Sequence, residues 1–449
     1  MNSPQASASA VTGTVFDVAI VGAGIVGLAH ALSAARRGKR VIVIDRDAHA
    51  VGASIRNFGF ITVTGQQAGA CWQRAIRSRD VWAEIAPKAG IAIEHEGLCV
   101  VARRTEAKHV LEAFLATDMG RACRMLTAQE AATHVPSLRD GAAEAVLWSP
   151  HELRVESRTA IPKLARWLEE ALGVTFLRGT LVKDVSPPEI ETTRGRVYAE
   201  TVIVCPGTDF LTLFPERIAA YGVTTCKLHM LRVDPGAAAP ALNAAVMSDL
   251  GLVRYLGYAE LPGAAALKRR LEAEQANALA HGVHLIAVRS HDGSLVVGDS
   301  HHYGDAADPF APALVDDIIM DEFDAVLELK QRRILERWVG YYASAPDRLM
   351  FCDAPRDDVR IVVVTSGTAP RRRLASPRKW SANCLVRRSK EWRCSSRQSC
   401  STGPERPSTM VPARRWARSW TCLRSSGSRC RSRKRGGRWV CRSGITSRP

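Results

Sequence analysis

The period of the apolar positions changes within the first fifty residues. FDVAIV (16–21) is a continuous apolar run of the kind found in a strand buried on both faces. Beyond Gly22, the residues Ile25, Leu28, Ala29, Leu32 and Ala35 recur at helical spacing, and Gly38 stops the helix. VIVID (41–45) then reads as a second buried strand, which completes the opening of a parallel βαβ unit. The apolar stretch 18–35 is broken by Gly22, Gly24, Gly27 and His30 and has two periods, so it is predicted not to span a membrane.

Further along, helices are predicted at 72–86 and 105–118, flanking a strand at 97–102. An amphipathic helix is predicted over 157–172, with Ile161, Leu164, Ala165, Leu168 and Leu172 on one face. Strands follow at 174–178, 196–199 and 201–207. The stretch 223–300 reads as strand-rich, including AAVMSDLGLVRYLGY (244–258), with one polar helical insert at 263–280. A helix at 314–330 and the segment RWVGYY (337–342) precede a last buried strand at 360–367. The predicted fold class is α/β: a Rossmann-type domain built from discontinuous segments (16–70, 150–215 and 335–368), with an inserted α+β substrate domain (71–149 and 216–334) around an antiparallel sheet. Residues 1–15 are expected to form a flexible N-terminus and 369–449 a disordered basic tail.

The formal net charge of +17 over 449 residues is unevenly distributed. Residues 369–449 hold 23 Lys+Arg and 2 Asp+Glu, which leaves 39 basic against 43 acidic residues in 1–368. The body is mildly acidic, so no specific nucleic-acid partner is expected for it. Six scattered cysteines in the body have no metal-ligand spacing and read as reduced thiols in a cytoplasmic protein; no metal site is predicted. MNSPQASASAVTGT lacks the basic and apolar regions of a signal peptide.

Candidate chemistry begins at Gly22-Ala23-Gly24-Ile25-Val26-Gly27. Gly22 permits a tight turn, Gly24 lets backbone N–H groups approach a pyrophosphate, and Gly27 lets the helix pack on the strand. The helix N-terminus offers partial positive charge to phosphates, and Asp45 can accept hydrogen bonds from ribose hydroxyls. Strand, helix, second strand and acid stand in the order a dinucleotide site needs.

Later motifs resemble the D-amino-acid oxidase and glycine oxidase family of flavoproteins. Gly52-Ala53-Ser54-Ile55-Arg56-Asn57-Phe58-Gly59 is similar to its G-x-S-x-R-N-x-G segment. TVIVCPG (201–207) is similar to a strand-plus-glycine motif beside FAD, and Trp338-Val339-Gly340 with Pro346-Asp347 to a W-x-G…P-D segment near substrate. The resemblance spans nearly all of 16–368 and implies FAD rather than NAD. It assigns the cofactor to Gly22, Gly24, Gly27, Asp45, Arg46, Ser54, Arg56, Asn57, Val182, Gly207 and Gly367. The implied reaction moves a hydride from the carbon beside nitrogen of a small amine to the flavin, with oxygen or another carrier as electron acceptor. RNFGFITVTGQ (56–66), HELRVESR (151–158), SLVVGDSHHYGD (294–305) and ERWVGYYASAPD (336–347) resemble a bacterial subgroup linked to phosphonate breakdown, which points to an aminophosphonate.

Family members that oxidise amino acids carry an Arg just after W-x-G-x, where this chain has Tyr342. A phenol cannot supply the bidentate fork that grips a carboxylate, which argues against a simple α-amino acid. His301, in His301-His302-Tyr303, is a candidate for phosphonate binding or amine deprotonation. Arg154 is a candidate anion contact, or else a structural partner of Glu152 or Glu156. Arg56 and Asn57 either face the flavin or cap a turn.

After Thr368 the composition changes: 369–449 contain no Asp, Phe, Tyr or His, but five Trp and six Cys. One reading is a basic arm that binds nucleic acid. The other is a frameshift. Codons for 368–386 can be written so that reading from the third base gives GASTAFGIAEEVVRELLG, the glycine turn and helix that the family resemblance leads one to expect. The resemblance places that helix N-terminus at the flavin, so its loss implies weak FAD retention and an inactive or impaired product.

Overall fold

The computed structural model describes residues 13–365. The chain builds two sheets, of eight and ten strands. In the first, the strands run in the order Met350–Arg356, Val359–Val364, Gly195–Val204, Val15–Val21, Val41–Ile44 and Thr175–Leu177. Val15–Val21 is central and pairs in parallel with Gly195–Val204 on one side and Val41–Ile44 on the other. All four residues of Val41–Ile44 are buried, as the continuous apolar run requires. Alternation sends Val41 and Val43 to one face, against Leu28, Ala31 and Leu32 of the helix Ile25–Ala35 and Ile161, Leu164 and Leu168 of the helix Ser157–Leu172. Ile42 and Ile44 face the other way, into a cluster with Ala19, Val202 and Val204. Ser157–Leu172 has the predicted bounds, and Gly173 ends it in the left-handed conformation at φ +65°.

The second sheet runs His302–Gly304, Thr224–Asp234, Leu295–Gly298, Ile286–Arg289, Ala245–Ser248, His95–Ala102, Ala145–Arg154, Phe60–Ile61. Thr105–Leu115 and Ala313–Val326 pack on it through Val110, Leu111, Phe114, Ile319 and Phe323. Within it Ala245–Ser248 pairs in parallel with His95–Ala102, so the sheet is mixed rather than purely antiparallel.

Several expectations change at this level. Residues 335–344, placed with the nucleotide-binding segments, belong to a strand, Arg333–Ser344, that pairs along Thr224–Asp234 of the second sheet. Only Met350–Arg356 and Val359–Val364 of that region join the parallel sheet. Residues 196–199 and 201–207 fall on one strand, Gly195–Val204, with its end at Val204. The insert at 263–280 is two helices, Ala264–Glu274 and Ala276–Ala280. Within 244–258 only Ala245–Ser248 is strand; Asp249–Val253 is a 3-10 turn and Leu256–Ala259 a short helix. Residue 15, placed in a flexible N-terminus, opens the first strand. The expected flexibility of 1–12 and the disorder and frame of 369–449 concern residues outside those described, as does Gly367.

Asp249 explains the end of that strand. Its buried carboxylate accepts from the Arg103 backbone N–H at 3.0 Å and from Arg104 Nη1 at 2.9 and 3.0 Å. These bonds hold the chain in a turn where the apolar pattern alone reads as strand. Asp249→Ala leaves the Arg104 charge buried with only Glu274 as an ionic partner. Removing one member of a buried pair costs about 3–5 kcal/mol, so the variant should unfold at a clearly lower urea midpoint. An unchanged midpoint would show that the pair is not what shapes this turn.

Candidate active site

The glycines of the first turn are held by contact. A Cβ on Gly22 would lie 2.4 Å from the Cys205 carbonyl oxygen, and Gly22 has φ +105°. A Cβ on Gly27 would lie 1.9 Å from the Gly22 carbonyl oxygen, where helix and strand cross. Gly24 precedes the helix Ile25–Ala35 and supplies no capping side chain; the Ile25 N–H donates instead to Ser54 Oγ at 2.9 Å. Asp45 sits at the tip of Val41–Ile44 and accepts from the Ala23 N–H at 2.5 Å and the Asp47 N–H at 2.8 Å. The residues present therefore fit a dinucleotide: a cradle that any side chain would fill, a helix N-terminus facing it, and a carboxylate at its rim.

Other assigned residues take varied places. Arg46 is exposed and pairs with Asp209 at 2.8 Å. Val182 is buried in the core of the first sheet, so only its backbone can meet a ligand. Gly207, at φ +63°, follows the Gly195–Val204 strand, in the segment where the Cys205 N–H donates to Val21 O at 2.8 Å. Asn57 closes a turn, donating from Nδ2 to Ala53 O and accepting from the Gly59 N–H, both at 2.7 Å. The Arg56 carbonyl accepts from Trp338 Nε1 at 3.0 Å, and a Cβ on Gly340 would lie 3.0 Å from the same oxygen. The W-x-G segment thus holds the 52–59 loop from the second sheet.

The second sheet also gathers a polar cluster. Tyr342 lies opposite Cys226 and His302–Gly304 runs along the same central strand. The rings of His301 and Tyr342 are 6.3 Å apart, and those of His301 and Tyr303 6.4 Å. Arg254 enters from the turn after Asp249–Val253 and donates from Nη2 to the Tyr303 hydroxyl at 2.9 Å; its Nε is buried with no hydrogen-bond partner among the described residues. Burial pushes the Tyr342 phenol well above its usual range, so it stays protonated at neutral pH. Burial, then the Arg254 charge, holds His301 well below the usual imidazole range, so its ring is neutral. His301 Nδ1 donates to Gly282 O at 2.9 Å, and its Nε2 faces Asp299 at 3.6 Å. His301 is therefore held through Nδ1, and its Nε2 makes no hydrogen bond to Asp299.

The structure brings the two separate candidates His301 and Tyr342 together and adds Arg254, which the sequence reading misses. A lone arginine inside the apolar run LGLVRYLGY was the available signal. Arg154 stands elsewhere. It is fully buried, paired with Glu156 at 3.2 Å and bonded to Ser290 Oγ at 3.3 Å, while Glu152 accepts from the Thr64 N–H at 2.7 Å. All six described cysteines are free thiols, and no described helix is long and apolar enough to cross a membrane.

The profile of a family described as FAD dependent oxidoreductase (DAO) matches residues 17–369. Comparison with curated proteins finds no match. Among solved structures, L-proline dehydrogenase from P. horikoshii is 19% identical, with TM-score 0.63, over 79% of this chain and 89% of its own. Glycine oxidase from Geobacillus kaustophilus is 20% identical, with TM-score 0.60 and the same two coverages. An L-alpha-glycerophosphate oxidase from Mycoplasma pneumoniae with FAD bound is 16% identical, with TM-score 0.60, over 80% and 91%.

Proposed function

The chain belongs to the DAO family of FAD-dependent oxidoreductases, and on that premise we propose that it oxidises a small amine bearing a compact anionic group, such as an aminophosphonate. The observation that carries this reading is Arg254, a guanidinium with a buried, unpartnered Nε beside the Tyr303 and Tyr342 phenols. A buried donor without a partner favours an anionic ligand. The replacement of the expected arginine by Tyr342 separates this site from one built to fork a carboxylate at that place. Glycine oxidase and proline dehydrogenase among the similar folds agree with an amine; the subgroup resemblance of 294–305 and 336–347 agrees with a phosphonate.

Bound FAD supplies the two-electron acceptor for the C–N bond. Arg254 holds the anionic end of the substrate. The protonated Tyr342 donates a hydrogen bond to it. His301, fixed by the Gly282 carbonyl, sets the wall that Tyr303 stacks on and Tyr342 meets edge-on, and the turn glycines and Asp45 hold the adenine-dinucleotide end. The test is anaerobic flavin bleaching across a panel of amines, α-amino acids and aminophosphonates. Bleaching by neutral amines in preference to anionic ones would sink the anionic-substrate reading, and bleaching by α-amino acids in preference to aminophosphonates would sink the choice of a phosphonate.

A second reading concerns the gene. The chain beyond Thr368 is an out-of-frame product, and the written chain retains FAD weakly. The charge and composition break at 369 and the end of the family match at the same residue support it. Sequencing codons 366–370 decides the frame. The frame-restored protein should purify with several-fold more FAD than the written chain; equal flavin content would refute the functional part. Nucleic-acid binding through the tail predicts instead that deleting 369–449 abolishes binding to DNA or RNA.

A further inference from the structure

His284, Asp299 and His301 converge in the interior beside the tyrosine cluster, and all three are buried. The backbones of His284 and Asp299 bond to each other in both directions, at 3.2 and 3.0 Å, and fix their two strand ends side by side. His284 Nδ1 lies 3.3 Å from Asp299 Oδ1, and His301 Nε2 lies 3.6 Å from Asp299 Oδ2. Close as they are, His284 Nδ1 and Asp299 Oδ1 make no hydrogen bond. One ligand-capable atom from each residue lies within 4.8 Å of the others.

The outer nitrogens explain which atoms point inward. His301 Nδ1 faces the Gly282 carbonyl, which only accepts, so Nδ1 carries the hydrogen and Nε2 turns a lone pair toward Asp299. His284 Nε2 faces the Tyr255 hydroxyl at 3.5 Å, which leaves Nδ1 toward the same carboxylate. A hydrogen carried on His284 Nε2 toward that hydroxyl leaves two imidazole lone pairs around one buried carboxyl, an arrangement that a positive charge between them relieves. Outer hydrogen bonds that orient each ring are what metal-ligating histidines require.

We propose that His284 Nδ1, His301 Nε2 and Asp299 bind a divalent cation of the zinc class. Bonds of about 2.0–2.2 Å in a tetrahedral site put neighbouring ligand atoms ~3.3 Å apart, close to the separations found. Three protein ligands leave a fourth position for water or an anionic oxygen. The carboxylate of Asp299 offsets part of the repulsion from the neighbouring Arg254 charge. Asp299 and His301 stand two residues apart just after Leu295–Gly298, and His284 joins them from just before Ile286–Arg289, so the spacing of the pair alone does not announce the site.

The test uses the full chain, stripped with a chelator, loaded with zinc chloride and washed, with metal content read by mass spectrometry. The wild-type chain should retain one more zinc equivalent than His284→Ala or Asp299→Asn, since cysteines elsewhere contribute equally to all three. Zinc should also raise the melting temperature of the wild type and leave that of Asp299→Asn unmoved. Should His284→Ala fail to fold, the near-isosteric Asp299→Asn decides alone. Equal zinc in wild type and folded variant, meaning that the three groups share only a proton, overturns the proposal. No substrate enters this assay, so its failure and that of the amine reading are separable.

Discussion

Gly27→Ala should yield a chain that purifies without FAD. The new methyl would sit 1.9 Å from the Gly22 carbonyl oxygen and 3.0 Å from its carbon. Overpacking by a methyl ordinarily costs about 1–3 kcal/mol, because side chains move aside. Here the obstacle is backbone inside the turn, so the turn itself must shift, and its N–H groups leave the line they hold toward a pyrophosphate. A shift of this kind should lower the ratio of flavin to protein absorbance at least about tenfold, or ~1.4 kcal/mol of cofactor affinity. Gly52→Ala is the contrast: nothing lies within 4 Å of its added Cβ, and its backbone is not left-handed. It should leave the melting temperature near that of the wild type. A Gly27→Ala chain with full flavin content would remove the steric account of the fingerprint.

Arg254→Ala should abolish most turnover of an anionic amine. The guanidinium bonds to Tyr303 and lies against Tyr342, and it is the cation nearest both phenols. Truncating one partner of a buried, charge-assisted contact costs about 2–4 kcal/mol, equivalent to a ~30- to ~1000-fold loss in kcat/KM. The loss should be selective. A neutral amine of similar size should lose far less, since it makes no use of the charge. Arg254→Lys should recover part of the rate, because the charge returns without the planar fork. Equal losses on neutral and anionic amines would place Arg254 in a structural role and withdraw the anion site.

Much of the nucleotide-binding half was legible because its signals are local. The run 16–21, the glycines of the turn and the 3.6-residue spacing after them each depend on near neighbours. The same holds for Ser157–Leu172, whose apolar face is complete within the helix. Pairing across distance was not legible. The segment 335–344 has no alternation that names its sheet, and the long antiparallel ladder with Thr224–Asp234 assigns it to the second. The turn at Asp249–Val253 hides in the same way, since Asp249 is satisfied by Arg103 and Arg104, which join His95–Ala102 to the helix Thr105–Leu115. Arg254 was visible as a charge in apolar surroundings, but its meaning depends on tyrosines from two other segments. His301 was legible as a residue and not as a role, because its Nδ1 bonds to the Gly282 carbonyl, 19 residues away.

The order of strands in the first sheet also sets a timetable for synthesis. Val15–Val21 is made first, yet its parallel neighbour Gly195–Val204 emerges only after Phe60–Ile61, His95–Ala102, Arg124–Leu126 and Ala145–Arg154 of the second sheet, and Val359–Val364 must then dock on that neighbour. Non-local parallel pairing is slow, and an early strand left waiting is exposed to aggregation. The nascent chain therefore carries one open edge of its central strand until residue 204 has been made. Its sheet closes with Val359–Val364, which is encoded just upstream of Thr368. A ribosome or a gene that changes frame after that point has already delivered every described strand of both sheets.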